Sequence, residues 1–173
     1  VAKSTYNAST GETLTTYYVC DASGNNLGVY QLTSEGLAWK EQIILGSRRV
    51  GVLNDMAFWG SPGEVGNLPI AEEEGRMRRG ARYYELSNHL GNILSVINDR
   101  KQGVDTGNDD IADFFAATIV SATDYYPFGL EMPQRTFSLD AYRYGLQGQE
   151  KDQETDFVNY KYRMYNAKIG RFF

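Results

Sequence analysis

The sequence predicts an all-β fold assembled from short antiparallel hairpins. Three observations carry that expectation. Aromatic residues make up 13% of the 173 positions, with thirteen Tyr, eight Phe and two Trp, and these side chains favour a pleated, half-buried surface. Eighteen Gly accompany only four Pro, which supplies turns without breaking strands. Runs rich in Tyr, Val, Ile and Thr alternate with polar, Gly-containing stretches along much of the chain. A hydrophobic content of 42% argues against wholesale disorder.

The first unit runs from Leu14 through Cys20, turns over Asp21 to Asn25, and returns from Asn26 to Leu32, which reads as a hairpin. The second places extended runs at Leu37–Leu45 and Val50–Leu53 around the turn at Gly46. Residues 54–80 are less regular. Gly60-Ser-Pro-Gly63 signals a turn, and the mixed charges of Glu72 to Arg79 suggest an exposed insertion between strands. The third unit, Ala81–Ser87, Asn88–Asn92 and Ile93–Asn98, repeats the plan of the first. Tyr17-Tyr18 precedes Gly24-Asn25 by the distance that separates Tyr84 from Gly91, within a residue, and this echo marks an internal repeat.

Residues 99–113 read as a polar, acidic loop, and Phe114 to Tyr126 as a long strand stopped by Pro127-Phe-Gly129. Overlapping the start of that strand, Ile111 to Val120 would also suit a short helix capped by Asp109 or Asp110, but the Thr-Ile-Val run and the Tyr pair favour a strand. The tail is expected to form a last hairpin: Tyr142–Glu150, a turn over Lys151–Asp156, and Phe157–Tyr165. In that last strand Val158, Tyr160, Tyr162 and Met164 alternate with polar neighbours.

Charge and cysteine content narrow the function classes. A net charge of −5 disfavours a nucleic-acid partner, which needs clustered Lys and Arg. Cys20 is the single cysteine, so no intrachain disulfide forms. No window approaches the ~18 apolar residues of a membrane span. The chain opens at Val1 instead of Met and closes on Phe172-Phe173, and is read as an excerpt of something longer.

Four motifs occur in order: Tyr83-Tyr84-Glu-Leu-Ser-Asn-His89-Leu90-Gly91-Asn92; Asp124-Tyr125-Tyr126-Pro127-Phe128-Gly129; Tyr142-Arg-Tyr144-Gly-Leu-Gln-Gly148-Gln-Glu150; and Tyr160-Lys-Tyr-Arg-Met-Tyr165 followed by Gly170-Arg171-Phe172. They resemble the YD-repeat, or Rhs, family, and in particular its C-terminal Rhs-associated core domain. Tyr18, Asp21, Gly24 and Asn25 resemble an ordinary YD repeat, and the wording from Tyr125 to Pro133 resembles Bacteroidetes versions. The resemblance implies YD-repeat hairpins with an exposed insertion over 1–80. It implies the core domain over 81–173, cut before an Asp-Pro stretch. It further implies a spiralling antiparallel β-shell of a secreted or cell-surface protein, enclosing or presenting a C-terminal passenger such as a toxin. The implied partners are the remainder of that shell, the passenger, and secretion machinery or envelope proteins. A surface adhesin, or a passenger of a type 9-like secretion route that binds a partner or glycan, is the alternative. Some family members cut themselves through aspartates beyond the Gly-Arg-Phe motif, and that reading needs residues past 173.

Other candidate sites have bland readings beside them. His89 is the only histidine and would have to serve any triad, with Cys20 far off in sequence; bonding within its turn is favoured. Asp105, Asp109, Asp110 and Asp113 are rich in oxygen but lack calcium-loop spacing. Arg76, Arg78, Arg79 and Arg82 beside Tyr83 and Tyr84 would suit phosphates and bases, yet Glu72, Glu73 and Glu74 offset them. Asp152, Glu154 and Asp156 lie in a hairpin connection with Lys151 among them. The Tyr ladder suggests sugar stacking, against cross-strand packing as the commoner use. No cofactor, metal or catalytic set is assigned.

Overall fold

A computed structural model of the chain describes residues 1–7, 10–33, 36–54, 57–59, 80–139 and 142–173. Its described residues form an all-β, antiparallel architecture of successive hairpins, in two units: Val1–Arg82 and Tyr83–Phe173.

In the first unit, β1 (Ala2–Asn7), β2 (Glu12–Cys20), β3 (Asn26–Thr33) and β4 (Gly36–Leu45) pair in sequence order. β4 is then flanked on its far side by two short strands. β5 (Arg49–Leu53) pairs with Gln42 to Leu45, and β6 (Ala57–Trp59) pairs with Leu37 to Trp39. β5 and β6 therefore serve as two halves of one strand. Val29, Ile43, Val52 and Leu53 make the core, each under 8% exposed. Alternation explains three of the four: Val29 lies opposite Glu41, two residues from Ile43, and Ile43 lies opposite Val52, so these side chains share one face, while Leu53 points to the other. Tyr17 and Tyr30 are likewise directly opposed across β2 and β3.

In the second unit, β7 (Arg82–Ser87), β8 (Ile93–Val104), β9 (Phe114–Tyr125) and β10 (Glu131–Ser138) form a meander. A smaller meander follows, from β11 (Glu150–Lys151) through β12 (Val158–Tyr160) and β13 (Arg163–Asn166) to β14 (Arg171–Phe172). Tyr83, Ile93, Val96, Val120, Tyr144 and Val158 are its buried apolar residues.

Several expectations need correction. Residues 99–104 belong to β8 and not to a loop, because Lys101 to Val104 pair with Ala117 to Phe114 beyond a bulge at 98–100. Only 105–113 connect the two strands. The tail is not one hairpin. A short 3-10 turn (Leu146–Gly148) interrupts its first arm, and a turn at Lys161-Tyr162 splits the second into β12 and β13. Tyr162, expected on the apolar face, is 88% exposed at that turn. β1 and β10 were not foreseen at all. β10 carries Pro133, whose missing N–H falls in a bulge between the pairs Glu131–Tyr125 and Thr136–Thr123. Ile111 to Val120 forms no helix: Phe114 to Val120 is strand. Within 54–80, Ala57–Trp59 forms β6, while Gly60–Gly63 and Glu72–Arg79 lie outside the described residues.

Candidate functional site

One backbone device recurs at four places. In Asp21–Asn25, Asn88–Asn92, Tyr126–Leu130 and Gly145–Gln149 the first residue's N–H donates to the fifth residue's carbonyl, at 2.8–3.0 Å. In each, the fourth residue is Gly and donates to the first residue's carbonyl, at 2.8–3.0 Å. Those glycines, Gly24, Gly91, Gly129 and Gly148, have φ of +81°, +85°, +80° and +67°, the left-handed region where other residues are strained. Such three-residue loops with a left-handed glycine are a standard hairpin closure. The internal echo in the sequence is thus chiefly a repeated turn.

Two of the turns gain a side-chain lock. Asp21 accepts the Asn25 N–H at 2.8 Å and its side-chain amide at 2.7 Å, which holds the Asp21 carboxyl below the usual carboxylate range. Asn88 Oδ1 accepts the N–H groups of Leu90 and Asn92, both at 3.0 Å. His89 and Leu90 occupy the exposed middle of this turn. Tyr18 stands half-buried on β2, just ahead of the first turn.

The second unit brings its four motifs into contact. Asn92 Oδ1 accepts the Gln147 N–H at 3.0 Å, and Ile93 N–H donates to the Gly145 carbonyl at 3.1 Å. The Tyr125 hydroxyl donates to the Ile93 carbonyl at 3.1 Å. Burial, assisted by the charge of Glu131, pushes the Tyr125 phenol well up from its ordinary value. The Tyr142 hydroxyl donates to Glu85, and the ring of Tyr142 meets Tyr83 and Tyr144 edge-on at 6.1 and 5.7 Å. Tyr83 is therefore buried packing and presents no open stacking face, and Tyr84 is half-buried beside it.

Glycines make the close approaches feasible. A Cβ on Gly129 would collide with the Leu146 side chain, whose Cγ would lie 2.9 Å away, and one on Gly145 would sit 2.9 Å from the Tyr125 hydroxyl. Phe128 then receives the last motif: its carbonyl accepts the Tyr165 hydroxyl at 2.9 Å, and its ring lies against Gly170. Tyr160, Tyr165 and Phe172 form a mutual ring cluster, with the Arg163 guanidinium 3.8 Å over Phe172. The Tyr160 hydroxyl donates to Gln147 Oε1 at 2.6 Å, and burial raises its phenol.

Ion pairs complete the cluster. Arg143 and Glu150 meet at 3.0 Å with side chains about one-fifth exposed, and Lys151 reaches Glu131 at 3.1 Å and Asp156 at 3.6 Å. Asp156 also pairs with Lys168 at 3.3 Å; that hydrogen bond, then the charge of Lys151, holds its carboxyl below the usual range. Asp124 pairs with exposed Arg135, and Arg171 is exposed on β14. Glu85, Leu146 and Gln147 are the contacts that sequence reasoning left unassigned. Gln147 was missed because both its partners are distant in sequence: its N–H, set by a φ of +50° inside the turn, reaches Asn92, and its side-chain Oε1 accepts from Tyr160.

The remaining candidates separate. His89 lies in the second unit and Cys20 is exposed in the first. In the acidic connection, Asp105 accepts the Asp110 N–H, Asp109 that of Ile111, and Asp113 both the N–H and the hydroxyl of Thr106. These carboxylates close the loop on itself, and the Thr106 bonds hold the Asp113 carboxyl below its ordinary value. Among the described residues no group of three or more His, Cys, Asp or Glu is placed to hold a metal ion. Asp152 accepts the Glu154 N–H at 3.0 Å, a turn contact. Glu72, Glu73, Glu74, Arg76, Arg78 and Arg79 lie outside the described residues, and Arg82 begins β7. Among the described residues no helix is long and apolar enough to cross a membrane.

Comparison with known proteins gives partial likenesses. No family model matches the chain. Salivary gland surface protein 1 of Aedes aegypti is 32% identical over 97 residues, covering 55% of this chain and 2% of that protein. The crystal structure of TcdB2-TccC3-TEV is similar over 99% of this chain and 7% of its own, at 15% identity and a TM-score of 0.45. That of TcdB2-TccC3 covers 99% and 9%, at 14% identity and a TM-score of 0.41. The chain spans less than a tenth of the length of each of these proteins.

Proposed function

We propose that the chain is a structural module of a YD-repeat protein, whose hairpins continue a β-shell that encloses or presents a C-terminal passenger. The observation that supports this reading is the interlock of the four motifs in the second unit. Their tyrosines, glycines and amides bond one another across turns and strands, which is the use expected of residues that fix a scaffold. Stacked hairpins of this kind each bury little alone and gain a continuous core from their neighbours. On this reading the partners are further strands of the same protein and its passenger, the setting is secreted or cell-surface, and the chain turns over no substrate.

The test is cryo-electron microscopy of the full-length gene product, combined with limited proteolysis. The expected result is a strand ladder continuing past this chain around an enclosed space, with the region after residue 173 protected from protease. A free-standing domain that shares no ladder, with that region cut as fast as when expressed alone, would overturn the proposal.

A further inference from the structure

Sheet faces covered by a second layer are ordinarily filled by Val, Ile and Leu packed to crystal-like density. In the second unit, one covered stretch is built differently. Ser121 and Thr123 of β9 lie directly opposite Ser138 and Thr136 of β10, two cross-strand pairs of hydroxyl residues. Above them passes the segment bearing Tyr142 and Tyr144, and a pocket of about 370 Å³ remains between, lined by all six. That volume stands at the small end of the roughly 300–1,000 Å³ typical of small-molecule sites.

We propose that this pocket takes a single neutral sugar ring of hexose size. The proposal goes beyond the scaffold reading and does not depend on it. Charge selects neutrality: each cation of the wall already has a carboxylate partner, Lys151 with Glu131 and Lys168 with Asp156 on the wall itself, and Arg143 with Glu150 outside the lining. A free anion or cation would have to break a pair that already exists. Chemistry selects a polyol: hydroxyls on one wall and ion-paired carboxylates and ammonium groups on another offer both donors and acceptors to adjacent OH groups. The Tyr142 and Tyr144 rings, set at 63° to each other, add apolar surface suited to sugar C–H faces.

The experiment uses the 173-residue chain and saturation-transfer NMR with four probes: D-glucose, D-galactose, D-mannose and N-acetyl-D-glucosamine. Inorganic phosphate serves as a charged control. A ligand of this size is expected to bind one probe with Kd on the order of 1 mM. Ser121→Val, which fills part of the pocket, should weaken that binding at least ~10-fold while the thermal midpoint stays within about 2 °C. Should Ser121→Val unfold the chain, Thr123→Val, which keeps the side-chain shape, replaces it with the same expected loss. Absence of saturation from all four sugars, binding of phosphate alone, or sugar binding unaffected by a folded variant would each overturn the proposal.

Discussion

Replacing Gly129 with alanine tests whether the repeated turn and the motif interlock are separate demands on one residue. The comparison is Gly91→Ala, because Gly91 and Gly129 occupy equivalent turn positions with φ of +85° and +80°. At Gly91 the nearest atom to an added Cβ is Gln147 Cα at 3.9 Å, so only backbone strain is incurred, about 1–2 kcal/mol. At Gly129 the same strain applies, and the methyl also enters the Leu146 side chain. Overpacking of that kind costs about 1–3 kcal/mol, giving a total of about 2–5 kcal/mol. Urea denaturation followed by tryptophan-independent circular dichroism reads both losses. Gly129→Ala should exceed Gly91→Ala by about 1–3 kcal/mol, a displacement of the thermal midpoint of roughly 2–4 °C for each. Adding Leu146→Ala should recover part of the excess, with a coupling energy of about 1–3 kcal/mol in a double-mutant cycle. Equal losses at the two glycines, or strict additivity with Leu146→Ala, would refute the argument.

Three further outcomes are expected. Tyr125→Phe removes a half-buried hydroxyl bonded to the Ile93 carbonyl and should cost about 1 kcal/mol by chemical denaturation. The same variant should flatten alkaline destabilisation: Tyr125's folded pKa is raised, so its contribution is whole below the unfolded tyrosine value and fades as pH climbs toward the folded one. Asn88→Ala breaks two backbone bonds at 3.0 Å and should cost about 1 kcal/mol, whereas Asn88→Asp should keep both acceptors and restore most of it. Asp21 has a depressed folded pKa, so its support of the first turn is present above the ordinary carboxylate value and lost as pH falls through the folded one. Acid titration of the Asn25 amide resonance should report this, and Asp21→Asn should abolish the transition while leaving the turn intact at neutral pH.

Hairpins with one buried face were legible because period-two patterning and left-handed glycines act through neighbours in sequence. Leu14–Leu32 and Ala81–Asn98 are such cases. Lys101 to Val104 were missed since this end of the β8–β9 hairpin buries little: Lys101, Gln102, Phe114 and Phe115 are all exposed, and no alternation results. β10 was hidden by Pro133 and by Gln134, whose φ of +69° belongs to the bulge. The motif residues were identifiable, but their contacts were not. Nothing local announces that Asn92 seeks Gln147 or that Tyr165 seeks Phe128, at separations of 55 and 37 residues.

Those long separations have a kinetic consequence. Three-residue loops close the β7–β8 and β9–β10 hairpins, so these can form on a microsecond scale, but the layer carrying Tyr142 to Gln147 has nothing to dock on until β7, β8 and β9 already exist. Assembly of the second unit should therefore occur in two stages, a rapid zippering and a slower capping. Pulsed hydrogen exchange would see the Gln147 amide acquire protection after those of β8, leaving a brief window in which the hydroxyl-lined face lies open to water.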